Sequence, residues 1–267
     1  MEKLQNTFRR GWRCAVYEHP LLLIAGLFLA TLVMGWLGVR YAAEREERSF
    51  VAYSEHLMQT FAGQRQKQLG ATVRDYAVWD DMVEHIHSET FDHEWLQSNL
   101  TGSIYHNLGI EDALVLSPSL RPLYVLRRGE EVRFKRLADW NSEFSALLAR
   151  RMALDPGLNS LSGVVRTGSV LQFLVAERIR PEHRSAASGR TGGWIIFARG
   201  LDPEWRDETS YLLSIKNLTV VDEPPQRAGP RYRLAGVDDQ PVAWLSWQVD
   251  REAAHGGAAT PLLASLL

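Results

Sequence analysis

The sequence predicts an α+β chain: a long N-terminal transmembrane and juxtamembrane helix, then a domain built on antiparallel sheet. Three observations predict it. Leu21–Val39 is a run of nineteen residues without a charge. Ala42–Gln68 holds no proline and one glycine, and its apolar residues fall at helical spacing. Beyond Gly102 the apolar residues gather into short runs separated by Pro, Gly and Ser, the pattern of strands and turns.

The apolar run reads LLLIAGLFLATLVMGWLGV, and Thr31 is its one clearly polar residue. At about 1.5 Å per residue it makes a helix of roughly 28 Å, near the thickness of a bilayer core. Buried core helices rarely run so far without a charge. The apolar core of a cleaved signal spans only about 7–15 residues before a small-x-small site, and here Arg40-Tyr41 follows instead. Lys3, Arg9, Arg10 and Arg13 precede the span, whereas Arg40, Arg45 and Arg48 beyond it are mixed with Glu44, Glu46 and Glu47. The excess of basic residues on the N-terminal side orients residues 1–20 to the cytoplasm, 21–39 across the membrane and 41–250 outside. Trp12, Tyr17 and Trp36 suit the interfaces, and the Gly26/Ala30 and Thr31/Gly35 pairs allow close helix approach.

Within the outer domain, Phe50, Tyr53, Leu57, Phe61 and Gln64 form a stripe on an amphipathic helix that continues outward. Gly70 is expected to kink it, with further helices over 71–87 and 90–99. Strands are expected at Glu111–Ser117 and Leu123–Arg128, around the Pro118–Pro122 turn. Leu137–Met152 reads as helix; Gly163–Arg166, Val170–Arg180 and Gly193–Arg199 read as strands, with a polar loop at 181–192. Asp202-Pro203-Glu204 is a helix start, with Asp as cap and Pro at the first position. Ser214–Val221, Tyr232–Ala235 and Val242–Val249 complete the sheet strands. Residues 251–267 run from a polar linker into PLLASLL, which reads as the start of a second, truncated membrane helix or, more plainly, as an apolar tail packed on the domain.

The densest chemistry is Asp75-Tyr76-Ala77-Val78-Trp79-Asp80-Asp81-Met82-Val83-Glu84-His85-Ile86. On a helix Asp75 and Trp79 share a face, as do Tyr76 and Asp80. Aromatics interleaved with carboxylates suit a ligand wall, with rings for stacking or for a cation and an acid to orient it. The plainer alternative makes Tyr76 and Trp79 core residues and has Asp80-Asp81 satisfy loop amides.

A membrane span, a long outward helix and then DYAVWDDMVEHI resemble the type-four CHASE domain (cyclase/histidine kinase-associated sensory extracellular). Asn107–Ala113 is similar to that family's entry into its first strand, and Val170–Arg180, Gly192–Arg199 and Leu201-Asp202 to its later strand–loop–strand stretch. The resemblance covers about residues 45–220 and implies a PAS- or Cache-like fold in the periplasm, flanked by two inner-membrane helices. It also implies an output through cyclic di-GMP cyclase and phosphodiesterase domains (GGDEF and EAL) or a histidine kinase. None of these signatures occurs in the sequence, so the cytoplasmic output module is expected outside this chain.

The expected function is therefore a membrane-anchored, homodimeric sensor domain for an unknown small polar ligand. Asp75, Tyr76, Trp79 and Asp80 are the candidate ligand-binding residues. The rival reading is an interaction module that recruits a partner protein at the membrane. No catalytic residue is expected, because P-loop, nucleophile-elbow and H-E-x-x-H patterns are missing. No cofactor or metal is expected either. Asp80, Asp81, His85, His87 and His93 hold ligand-type atoms but suit a solvated helix end. One cysteine, Cys14, excludes an intramolecular disulfide and a cysteine-rich zinc site. The net charge of −2 argues against a nucleic-acid partner. Setting aside residues 1–40, with five basic residues (Lys3, Arg9, Arg10, Arg13, Arg40) and two acidic ones (Glu2, Glu18), leaves 25 basic against 30 acidic, a net of −5 for the outer part.

Overall fold

A computed structural model describes residues 20–87, 92–101, 103–183, 192–225 and 229–249. The expected cytoplasmic terminus, Trp12 and Tyr17, most of the 181–192 loop and the expected second span at 251–267 lie outside the described residues. Two compact units divide the chain, Met1–Ala52 and Tyr53–Leu267.

Helix α1 (Pro20–Ala77) runs without interruption through both. In the first unit it is long and apolar enough to cross a membrane, and none of its most apolar window is buried. Leu27, Phe28, Met34 and Val39 are all exposed. Thr31 donates its hydroxyl to the Phe28 carbonyl at 2.7 Å, so the one polar side chain of the run is satisfied by its own helix.

In the second unit the residues of α1 that enter the core are Met58, Ala62, Leu69, Val73 and Ala77, with Ser54 buried on the same side. This stripe is one residue out of phase with the predicted one. Tyr53 is exposed, and Leu57 and Phe61 are half-buried. The smaller Ser54 and Ala62 let the helix approach closely, while the bulkier residues flank it. The predicted kink at Gly70 is also corrected: the helix passes through it and stops only at Ala77. Glycine costs about 1 kcal/mol in a helix interior, and burial of Leu69 and Val73 on either side outweighs that.

Three short helices follow, α2 (Asp80–His87), α3 (His93–Asn99) and α4 (Ser103–Leu108). A six-stranded sheet comes next. Its strands are β1 (Asp112–Leu116), β2 (Pro122–Arg127), β3 (Glu130–Glu131), β4 (Ser160–Thr167), β5 (Val170–Arg178) and β6 (Trp194–Gly200), in the spatial order β3-β2-β1-β6-β5-β4. All neighbours are antiparallel. Helices α5 (Leu137–Trp140) and α6 (Ser142–Leu154) lie between β3 and β4 in sequence, and α7 (Pro203–Leu213) follows β6. Strands β7 (Ile215–Val221), β8 (Arg231–Ala235) and β9 (Pro241–Val249) form a second antiparallel sheet, in the order β7-β9-β8.

Both faces of the large sheet are buried, which is why its central strands read as unbroken apolar runs. Ala113, Val115, Phe173, Val175, Ile195 and Phe197 pack with Val73, Met82, Leu96 and Ile104 of the preceding helices. That same core takes in Leu234, Ala243, Leu245 and Trp247 of the small sheet. The alternate residues, Leu114, Leu116, Leu174, Trp194 and Ile196, pack with Leu137, Trp140, Phe144 and Leu148 of α5 and α6. The two sheets meet at a bridge between Val164 and Gly236. Gly163 makes this possible, since a Cβ there would lie 2.5 Å from the Val237 amide nitrogen.

The strands match the predicted ones to within a few residues, and Asp202 caps α7 as expected, accepting from the Trp205 amide at 2.8 Å. The predicted helix 137–152 is two helices. Asn141 leaves helical geometry between them and caps the second one, accepting from the Phe144 amide at 2.9 Å.

Candidate ligand-binding site

The aromatic and acidic motif sits where α1 ends. The helix is interrupted at Val78-Trp79 and resumes at Asp80. Tyr76 is half-buried, with its ring edge-on to Phe197 at 5.4 Å. Trp79 packs against Trp95 at 4.9 Å, and His85 stacks on the same Trp95 at 4.3 Å. Asp75 is exposed.

Asp80 is committed. One carboxylate oxygen accepts from the backbone amides of Glu182 and His183, at 2.8 and 3.2 Å, and the other meets His183 Nδ1 at 2.7 Å. The His183 hydrogen bond holds the Asp80 carboxyl below its ordinary range, and the same bond raises the His183 imidazole above its own. Two more ties join this corner to the end of β5. The Arg180 amide donates to the Ala77 carbonyl at 2.9 Å, and Arg74 stands 3.6 Å from the buried Glu177.

The structure thus gathers Tyr76, Trp79 and Asp80 at one helix break, with Asp75 on the exposed side. Two histidines in and beyond the segment are paired with carboxylates. His85 Nδ1 pairs with Asp92 at 3.0 Å and His93 Nε2 with Glu131 at 2.9 Å. Among the described residues no three His, Cys, Asp or Glu side chains converge as a metal site.

A cavity of about 310 Å³ opens elsewhere, at the start of β1. Asp112 is 3% exposed; it accepts from Arg127 Nε at 3.1 Å, Trp140 Nε1 at 2.9 Å and Gln172 Nε2 at 3.1 Å. Glu111, just outside the strand, is also buried, and its carboxylate has only longer contacts: Gln172 Nε2 at 3.3 Å and Arg128 at 3.5 Å. Gln172 itself is 3% exposed, and its Oε1 has no hydrogen-bond partner. Gly200 leaves room for the Glu111 carboxylate, since a Cβ there would fall 2.3 Å from Glu111 Oε2. A larger cavity, about 410 Å³, lies between α6 and the β8–β9 turn, lined by Asn141, Phe144, Arg150, Val165 and Val237 among others.

None of the four motif residues lines either cavity. Sequence reasoning passed over Glu111, Asp112 and Gln172. The signal was two acids opening an apolar strand and one glutamine inside the run VLQFLVA.

A long N-terminal helix thus precedes a mixed domain of antiparallel sheets and covering helices. The chain belongs to the CHASE4 domain family, which matches residues 63–216, more than half of its length. This is a family of sensor domains and not a catalytic one.

No curated protein sequence matches the chain. Among solved structures it is similar to the periplasmic domain of Vibrio cholerae LuxQ, with 12% identity, a TM-score of 0.49, and coverage of 74% of this chain and 99% of that one. It is also similar to a domain of a sensory box/GGDEF family protein from Vibrio parahaemolyticus, with 9% identity, a TM-score of 0.47, and coverage of 78% and 96%. The ligand-binding domain of the Campylobacter jejuni chemoreceptor Tlp3, in complex with L-valine, is similar at 8% identity, with a TM-score of 0.44 and coverage of 82% and 97%.

Proposed function

We propose that the chain is an inner-membrane sensor whose main domain lies in the periplasm, binds a small polar ligand and transmits that event inward. The output is a cyclic di-GMP cyclase/phosphodiesterase or a kinase module. The observation that carries this reading is the continuity of α1. One helix holds both an exposed apolar run and, further along, core residues from Met58 to Ala77. The basic residues before the span orient it with the N-terminus in the cytoplasm. Alkaline phosphatase fused after Thr60 is expected to be active only when exported. A reporter that works in the cytoplasm at that position would overturn the topology.

For the ligand we assign Tyr76 and Trp79 as aromatic contacts and Asp75 as the acid facing it. Asp80 shapes the site by holding residues 182 and 183. Charge-assisted hydrogen bonds are worth about 1.5–3 kcal/mol, so Asp75→Asn should abolish a ligand-induced thermal shift while leaving the basal melting temperature in place. A variant that fails to fold would make Asp75 structural.

The same reading includes a parallel homodimer. Tyr53 is exposed beside half-buried Leu57 and Phe61, an apolar strip that the domain's core covers only in part, through Phe61. Cysteines placed singly over residues 50–61 should crosslink with a period of three to four positions. A flat profile would leave the strip without a partner helix.

A further inference from the structure

We propose that the cavity at the start of β1 is a second binding site, for a small organic cation that carries N–H donors. The site does not involve Asp75, Tyr76 or Trp79.

Donors and acceptors do not balance in the wall of this cavity. Three groups in this wall are buried and oxygen-rich: Glu111, Asp112 and Gln172. Asp112 is well supplied, with three donors from Arg127, Trp140 and Gln172. Glu111 is not, because its two contacts, at 3.3 and 3.5 Å, lie beyond the usual 2.7–3.2 Å of an N–H···O bond. Gln172 Oε1 has no donor at all. Turning the amide over does not help, since it would set that oxygen against two carboxylates. The Glu111 carboxylate is therefore the under-donated acceptor of the cavity wall, and a buried acceptor short of donors is costly. Charge selects the class of ligand. The buried carboxylates disfavour an anion, and a neutral alcohol leaves the Glu111 charge to its long contact with Arg128.

The protein's own cations do not fill this need. Arg127 is bonded to Asp112 through Nε and lies over the Phe134 ring at 5.3 Å. Arg128 is 61% exposed and only reaches toward Glu111, from a left-handed turn (φ 50°). It is a displaceable cover. Trp140 supplies apolar wall for carbon atoms, and about 310 Å³ suits a ligand of few heavy atoms.

The test uses the full chain in detergent micelles, with ethanolamine and putrescine as probes, ethylene glycol as the neutral control and Ca²⁺ as a metal control. Thermal shift and calorimetry should show saturable binding of the amines alone. Glu111→Gln should weaken that binding at least tenfold. Arg128→Gln, at an exposed position, should tighten it several-fold by removing the competing cation. Asp75→Asn should leave it unchanged, which separates this site from the motif. The proposal is overturned if the folded wild type responds to neither amine, if Ca²⁺ alone binds, or if Asp75→Asn abolishes amine binding. Unaltered affinity in Glu111→Gln overturns it as well. Should Glu111→Gln not fold, unaltered or weaker affinity in Arg128→Gln does so instead.

Discussion

Asp80 shows how one carboxylate can serve three donors from a distant part of the chain, the amides of residues 182 and 183 and the His183 ring. Its pH dependence follows from the two shifts. His183 is raised from 6.5 by the Asp80 bond, so its contribution is complete below that value and is lost as pH rises through the raised one. Asp80 is lowered from 3.8 by the His183 bond, so its contribution is present above that value and is lost as pH falls through the lowered one. The contact is thus strongest between those two ordinary values. An NMR titration should find one histidine protonating above the ordinary range in the wild type and at an ordinary value in Asp80→Asn. No difference between the two would remove the ion pair. The sequence allowed both uses of this aspartate, ligand wall or loop anchor, because its partners lie about a hundred residues away and leave no local trace. Glu111 and Gln172 were hidden for a like reason, since they meet only when β1 and β5 take their places on either side of β6.

At the scale of elements, local chemistry was readable wherever it ruled. Asp-Pro-Glu announced α7, and short apolar runs announced the strands. It failed at Leu137–Met152, where periodicity continues through a break. Asn141 makes that break by working twice: its Oδ1 caps α6, and its Nδ2 donates to the Arg166 carbonyl at 3.0 Å. Asn141→Ala should therefore cost the cap, about 1 kcal/mol, and also leave a strand carbonyl short of a donor. We expect a loss of about 1–2 kcal/mol, or several degrees in melting temperature. Asn141→Asp should recover the part due to the cap. Equal losses in both variants would mean that the cap contributes nothing. The phase of α1 failed for a different reason. Periodicity locates the apolar stripe, but the close approach of Ser54, Met58 and Ala62 to the small sheet decides which side of it turns inward.

At the scale of the molecule, the two sheets share a core with the end of α1, and Gly163 lets their edges touch. Gly163→Ala would force a Cβ onto backbone, at a cost of about 1–3 kcal/mol. Hydrogen exchange should then rise over residues 231–249 while the central strands of the large sheet stay protected. Uniform loss of protection would show that the sheets unfold as one. The α+β class was legible because both periodicities are present in the chain; the division into two sheets was not, since it rests on which strands pair, including partners far apart in sequence such as β1 with β6. One further contact has a mechanical meaning. Trp247 Nε1 donates to Ser54 Oγ at 3.2 Å, next to the Arg231 amide on Glu55 at 3.0 Å. The points at which force would reach the domain, from α1 and from the end of β9, are thus side by side. Tension between them loads the central strand of the small sheet from its end. It peels the rungs singly and does not shear them together. In a single-molecule pulling experiment the small sheet should open first, at low force, before the large sheet yields.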